Sequence, residues 1–113
     1  MTSESIGKTL EELASANKTI TYAKLAEMHG LPAHRGDWRG HPLSQIFEIL
    51  DQADARNSRP FRTALVVSAA GNRPGAGFFE ALERLRNIVD PVTDGGRDAV
   101  WMAELNSLFK YYR

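Results

Sequence analysis

Apolar residues recur at helical spacing near the start of the chain. Ile6, Leu10, Leu13 and Ala14 lie at positions i, i+4, i+7 and i+8, and the neighbouring positions are mostly polar or charged. This spacing places one apolar stripe on a single helix face, so the pattern predicts an amphipathic helix over residues 3–17.

A second, shorter helix is predicted by its end signals. Thr21 can cap a helix that runs from Tyr22 to His29, because a threonine oxygen can accept a hydrogen bond from a free backbone N–H of the first turn. Gly30, with Pro32 two residues later, is typical of a helix C-terminus. The sequence therefore predicts a helix over residues 22–29 with a defined start and a defined end.

The middle of the chain predicts a loop followed by a third helix. Residues 33–42 contain two glycines, a proline and no apolar period. Pro42 fits the first turn of a helix, where its missing N–H costs nothing, and this helix is predicted to reach about Arg56. Its apolar positions follow helical spacing: Leu43, Ile46, Phe47, Ile49, Leu50 and Ala53.

The second half of the chain predicts a strand and two further helices. The short apolar run from Thr63 to Ser68 is bounded by turn residues, as a buried strand is. The glycine-rich turn at 70–77 leads into a helix from Phe78 to about Asn87 or Val89. Residues 97–113 have the spacing of a helix that docks one face on the domain.

Length and composition fit one domain of the α+β class, mostly α, spanning residues 1–113. The absence of cysteine excludes disulfides and thiolate chemistry and favours a reducing, cytoplasmic setting. No window of about 18 apolar residues is present, and the first residues lack the pattern of a signal peptide, so we expect no membrane contact.

Charge is balanced overall but uneven along the chain. The sequence has 14 basic and 14 acidic residues. Residues 33–76 hold six arginines, no lysine and four acidic residues, whereas the segments on either side each have one acidic residue in excess. Guanidinium groups bind phosphate in a forked geometry, so this stretch is a candidate phosphate-binding region. A solvated face or local ion pairs would explain the same arginines.

The sequence offers no catalytic or metal site. The histidines at 29, 34 and 41, with Asp37, do not share a helical metal-binding spacing. Asp51 and Asp54 are predicted on the exposed side of the third helix, where solvation explains them. The segment Gly71–Gly77 lacks the lysine and hydroxyl residue of a nucleotide-binding loop. We therefore expect neither enzyme activity nor a cofactor.

The loop ahead of the third helix is the most informative segment. It places an aromatic ring among hydrogen-bond donors within eight residues: His34, Arg35, Trp38, Arg39 and His41. Such a cluster suits phosphate contact and base stacking. The alternative is that Trp38 anchors the loop in the core and Arg35 pairs with Asp37.

Two segments resemble the C-terminal DNA-binding domain of the alkylguanine DNA alkyltransferases and their non-enzymatic relatives. The first runs from Ile20-Thr21-Tyr22-Ala23-Lys24-Leu25-Ala26 to Gly30-Leu31-Pro32, and the second is Pro60-Phe61-Arg62 with the valine pair and glycine-rich turn after it. Phe61 stands where the family's cysteine would fall, so alkyl transfer is excluded for want of a nucleophile.

The resemblance implies a winged helix-turn-helix domain with a short two- or three-stranded sheet and a C-terminal helix. The leading helix would cover 1–18, the helix-turn-helix and wing 19–89, and the docking helix 97–113. Helix 42–56 would then enter a DNA major groove.

The resulting functional prediction is a small non-enzymatic protein that binds nucleic acid, with duplex DNA favoured. Contact is predicted through the Trp38 loop, helix 42–56 and the Gly71–Gly77 turn. The predicted contact residues are Tyr22, Arg35, Trp38, Arg39, His41, Ser44, Gln45, Arg59, Arg62 and Arg73.

The alternative is a protein-interaction module, such as a small regulator or inhibitor of a larger nucleic-acid-processing protein, including one carried by a mobile element. Zero net charge favours it. The aromatic tail Phe109, Tyr111 and Tyr112 could then anchor a partner or form a homodimer.

Overall fold

Five α-helices, one 3-10 helix and two short strands make up the described residues of this computed structural model, namely 2–32, 41–69 and 71–113. In chain order they are α1 (Thr2–Ser15), β1 (Ile20–Thr21), α2 (Tyr22–Met28), α3 (Pro42–Arg56), the 3-10 helix (Arg62–Leu65), β2 (Val66–Val67), α4 (Ala76–Arg86) and α5 (Asp94–Tyr112).

The ends of α2 follow the predicted signals. The Thr21 hydroxyl accepts a hydrogen bond from the Lys24 amide at 3.2 Å. At the other end Gly30 adopts a φ of 66°, and the Leu31 amide donates back to the Ala26 carbonyl at 2.9 Å. This left-handed glycine closes the helix by satisfying its last carbonyls, which confirms the predicted cap and stop.

The two strands pair in parallel, with Ile20 opposite Val66 and Thr21 opposite Val67. Parallel strands need a crossover, and α2, α3 and the 3-10 helix supply it. The pairing fixes the start of α2 beside the chain that leaves the 3-10 helix. The sheet thus holds α2 beside the segment that follows the 3-10 helix, while α3 packs on α1, α4 and the 3-10 helix.

The core lies where α1, α3, α5 and the 3-10 helix pack together. The stripe predicted for the first helix faces inward, with Ile6, Leu10 and Ala14 fully buried. Leu108 of α5 and Leu65 of the 3-10 helix are equally inaccessible. The sequence pattern predicts the burial of such apolar side chains, and this burial is a main contribution to the stability of the fold.

The predicted strand at 63–68 is mostly wrong, because Arg62–Leu65 form a 3-10 helix and strand geometry is confined to Val66–Val67. The Asp54 carboxylate accepts the Arg62 backbone N–H at 3.0 Å, and the Phe61 carbonyl accepts the Ala64 N–H. These bonds satisfy the backbone in a tight turn, so a tertiary contact overrides the local β-propensity.

The predicted class, α+β and mostly α, is confirmed, and the sheet has two strands in the described residues. The tail helix begins at Asp94 rather than Arg97, since the Thr93 hydroxyl caps it by accepting the Gly96 amide. The winged-helix relationship stays a prediction.

Candidate nucleic-acid interface

The start of α3 is fixed by His41, which lies at its N-cap. His41 Nδ1 accepts the Leu43 amide at 3.1 Å, so its Nε2–H donates to the Pro32 carbonyl at 2.6 Å. Pro42 occupies the first helical turn, as predicted. One side chain therefore joins Pro32 to the first turn of α3 and sets where α3 begins. Both ring nitrogens are engaged and the residue is buried, so His41 serves as the helix cap in this structure, and its contact with a base stays a prediction.

The outer face of α3 is formed by residues at helical repeat positions. Gln45, Ile49, Gln52 and Arg56 are all exposed and lie at i, i+4, i+7 and i+11. Ser44 is exposed beside them. Two amides, one aliphatic side chain and one guanidinium thus share one helix face. This is a set of groups that can contact base edges, a thymine methyl and phosphate.

Glu48 is the only carboxylate of α3 outside the buried interior, and Arg84 of α4 neutralises it. The two side chains form a forked pair, with Arg84 Nη2 at 2.6 Å from Glu48 Oε1 and Nη1 at 3.0 Å from Oε2. The hydrogen bonds from Arg84 hold the pKa of Glu48 below its usual range. The one carboxylate on the outer side of α3 is therefore paired with a cation.

Asp51 and Asp54 are buried, so their predicted place on the exposed side of the helix is wrong. Asp54 continues the inward stripe of Leu43 and Leu50 at spacings of seven and four. That spacing indicates burial of Asp54. Residue type alone indicates the opposite, because aspartates in proteins are mostly exposed.

Asp54 binds two of the arginines that were predicted to contact phosphate. It accepts hydrogen bonds from Arg62 Nε at 3.1 Å and from Arg59 Nε at 3.1 Å. Arg62 also reaches Glu11 of α1 at 2.9 Å. Arg62 is buried and its charge is matched by carboxylates, so it belongs to the interior in this structure, and its contact with nucleic acid stays a prediction. Arg59 is partly exposed but is held by the same carboxylate.

Asp51 has a different environment from Asp54. Its carboxylate accepts the Thr63 hydroxyl at 2.7 Å, and no described cation lies within ion-pair distance. Burial raises the pKa of Asp51 to about 8, with Asp54 and Glu48 adding to the rise and the Thr63 hydrogen bond opposing it. At neutral pH this side chain is therefore largely protonated and joins α3 to the 3-10 helix without a charge.

The glycine-rich turn is held by Tyr22 and Arg73. The Tyr22 hydroxyl accepts the Gly75 amide at 2.8 Å, which ties the turn to the start of α2. Arg73 bonds Asp94 and Asp98 of α5. The structure shows both residues connecting the turn to helices, and their predicted contacts with nucleic acid stay predictions. The Arg73 guanidinium is matched by two carboxylates, so it carries no excess charge to the surface.

Of the ten predicted contact residues, Ser44 and Gln45 are the two that the described structure leaves exposed on α3. Arg35, Trp38 and Arg39 lie outside the described residues. Ile49 counts among the apolar positions that predict the third helix, but its side chain is 52% exposed. Gln52 and Arg56 were not among the predicted contact residues, although both share the helical repeat of Gln45.

Among the described residues, no group of three histidine or acidic side chains converges as a metal site requires. The helices of that same part of the chain also lack the combination of length and apolar content needed to span a membrane. The predicted aromatic anchor is divided: Phe109 and Tyr112 pack against the core, and Tyr111 is 54% exposed.

Comparisons with models of protein families, with curated proteins and with solved structures find no match to this chain.

Proposed function

We propose that this chain is a non-enzymatic domain that binds duplex DNA through the outer face of α3 and the adjoining segment 33–40. One observation carries the proposal: α3 turns two of its three carboxylates into the interior and pairs the third with Arg84. Its outer face keeps amides, a hydroxyl and Arg56. Such a surface can approach a polyanion without repulsion.

Segment 33–40 supplies the remaining cations of this proposed interface. It carries Arg35, Arg39 and Trp38, and the described residues that flank it, Pro32 and His41, are joined by a hydrogen bond immediately before α3. Arginines and an indole at the start of a surface helix are suited to phosphate contact and stacking. The predicted roles of Arg59, Arg62 and Arg73 do not form part of this proposal.

Fluorescence anisotropy with a labelled duplex tests the proposal at low and high salt. We expect binding that weakens steeply between about 50 and 200 mM salt, because bound cations release counterions from the phosphates. Arg39→Ala and Arg56→Ala should each weaken binding and lower the salt slope by about one. No binding at low salt would overturn the proposal.

Lys110→Ala is the matched control. Lys110 is an exposed cation on α5, a helix that packs on α1 and the 3-10 helix, so its removal changes the net charge without altering the α3 face. Equal losses for Lys110→Ala, Arg39→Ala and Arg56→Ala would indicate that net charge alone governs affinity. A single-stranded competitor of equal length distinguishes duplex binding from general polyanion binding.

A second candidate function, a protein-interaction module, is favoured by the segment between α4 and α5. Val89 and Val92 are each 73% exposed, more than any other large apolar residue described. Asp90 accepts the Val92 amide and a forked bond from Arg97, which fixes the segment. An ordered segment that presents two valines to solvent is suited to docking on a protein.

Site-specific photo-crosslinking separates the two functions. A photoreactive residue at position 49 should yield nucleic-acid adducts under the first proposal, whereas one at position 89 should yield protein adducts under the second. Position 102 on α5 is the control, since Met102 is also exposed. Protein adducts at 89 that are equally frequent at 102 would count against a specific docking segment.

A further inference from the structure

Gln45 and Ile49 form a pair on the outer face of α3. They are one helical turn apart, a spacing that brings their Cβ atoms within about 6 Å. Ile49 is 52% exposed although it belongs to a helix whose other large aliphatic residues, Leu43, Ile46 and Leu50, are buried. The surface at this turn therefore combines an amide with an aliphatic side chain.

The neighbouring amide of Gln52 is already engaged within the protein. Its Nε2 donates to Glu48 Oε2 at 2.6 Å, and Glu48 is in turn held by Arg84. No hydrogen bond to another described residue engages the side chain of Gln45. Gln45 consequently retains both its donor and its acceptor for a ligand, whereas Gln52 is restrained by its neighbour.

The pair matches the major-groove edge of an A·T base pair. Adenine presents an acceptor at N7 beside a donor at N6, which a glutamine amide can meet with one donor and one acceptor. Thymine presents its C5-methyl group at the same edge, and an aliphatic side chain packs on it. A guanine edge presents two acceptors there, which the carbonyl oxygen of an amide cannot satisfy.

We infer that Gln45 and Ile49 read an A·T base pair in the major groove, with Gln45 on the adenine edge and Ile49 on the thymine methyl. The inference rests on the proposed DNA binding and adds a base preference to it. The preference would be set by α3 itself, and the arginines of segment 33–40 would supply affinity without regard to sequence.

Three alternating copolymer duplexes of equal length test the inference, because they remove the need to know a binding site. They are poly(dA-dT), poly(dA-dU) and poly(dG-dC), compared by anisotropy competition at one salt concentration. Wild type should favour poly(dA-dT) over poly(dA-dU) by about threefold to fourfold, the contribution of one buried methyl group. It should favour poly(dA-dT) over poly(dG-dC) by at least about fivefold.

The variants assign each preference to one side chain. Ile49→Ala should bind the thymine and uracil duplexes equally, and Gln45→Ala should lose most of the preference over poly(dG-dC). Met102→Ala and Asn106→Ala, which remove an aliphatic and an amide side chain from the exposed side of α5, should retain both preferences.

The possible outcomes distinguish the A·T inference from the DNA-binding proposal on which it rests. Binding to none of the duplexes at low salt would overturn the DNA-binding proposal. Salt-sensitive binding with equal affinity for all three duplexes would leave DNA binding intact and overturn the A·T inference. Preferences that survive both Gln45→Ala and Ile49→Ala would also overturn it, because they would arise from another part of the protein.

Discussion

Asp54 shows how one buried carboxylate organises several elements of this protein. It is fully buried and accepts hydrogen bonds from the Arg62 backbone and side chain and from Arg59. The Arg62 guanidinium passes close to α1 because residue 7 is glycine: a Cβ there would lie 2.7 Å from Arg62 Nη1. Gly7 on α1 therefore leaves space for the buried Arg62 guanidinium, and Asp54 on α3 supplies its counter-charge.

Asp54→Asn is therefore expected to destabilise the protein strongly. The substitution leaves the buried Arg62 guanidinium without its main counter-charge, which typically costs about 3–5 kcal/mol. The free energy of unfolding is measured by urea denaturation. Glu11→Gln is the comparison, since the Glu11 side chain is 43% exposed and should contribute less than about 1 kcal/mol. Similar losses for both variants would contradict a central role for Asp54.

Val92 lies in the left-handed region of the backbone, with a φ of 65°. A β-branched side chain is disfavoured there by about 1–2 kcal/mol, whereas asparagine tolerates this conformation. Val92→Asn should therefore raise the free energy of unfolding by about 1 kcal/mol. Thermal denaturation measures the change, and Val89→Asn, at an equally exposed site without this φ, should give no such gain. Equal effects at both positions would contradict the proposed strain.

At the scale of elements, the contact between α2 and the glycine-rich turn rests on Tyr22. Its ring lies against Phe47 of α3, with centroids 5.9 Å apart, and its hydroxyl accepts the Gly75 amide. The residue thus links the first turn of α2, the outer helix α3 and the turn that precedes α4. Its function in the fold is to fix the relative positions of these elements.

Tyr22→Phe keeps the ring contact and removes only the hydroxyl. We expect a loss of about 1 kcal/mol in the free energy of unfolding and faster hydrogen exchange at the Gly75 amide. Amide exchange followed by NMR provides the measurement. Tyr111→Phe, which removes an exposed hydroxyl, should change neither quantity. Unchanged exchange at Gly75 in Tyr22→Phe would show that the turn is held by other contacts.

Helices and caps were predictable from the sequence because their signals are local. Thr21, Gly30 and Pro42 each act within one turn of their own position, and each was assigned correctly. The 3-10 helix was not predictable, since it depends on Asp54 meeting the Arg62 amide from a different element. The parallel pairing of β1 with β2 likewise depends on contacts far apart in sequence.

The candidate site was less predictable than the fold for a related reason. Residue type and loop position suggested Arg59, Arg62 and Arg73 as phosphate ligands, but carboxylates on the neighbouring helices α3 and α5 bind all three. The exposed face of α3 could have been identified from spacing alone. Ile49 lies on that face although it is apolar, because its angular position on the helix and not its hydrophobic character decides its exposure.

On the scale of the whole molecule, many of the 14 basic and 14 acidic side chains pair with one another within the fold. Six arginines of the described residues pair with carboxylates outside their own segment, including Arg84 with Glu48 and Arg86 with Glu104. The proposed interface keeps Arg56 of α3 and the arginines of segment 33–40, while exposed lysines such as Lys8, Lys18 and Lys110 lie elsewhere on the chain. This distribution favours binding of limited strength that depends on few cations, so single substitutions should have measurable effects.

The buried Asp51 makes the stability of the whole domain depend on pH. Its pKa rises from an ordinary value of 3.8 to about 8 on folding because burial disfavours the charged form. Between these two values the folded chain holds a proton that the unfolded chain has released. The contribution of Asp51 to the free energy of unfolding must therefore fall as pH rises through this range, and it becomes constant above the folded pKa.

Asp51→Asn should remove this dependence while keeping an acceptor for the Thr63 hydroxyl. Relative to the variant, wild type should lose up to about 1.4 kcal/mol per pH unit between about pH 5 and 7. Urea denaturation of both proteins across this range measures the difference, which isolates Asp51 from the histidines. Gln52→Ala, which changes an uncharged neighbour on the same helix, should give a profile parallel to wild type. If the Asp51→Asn profile is also parallel, Asp51 is ionised in the folded protein, and α3 carries one more negative charge than its proposed interface requires.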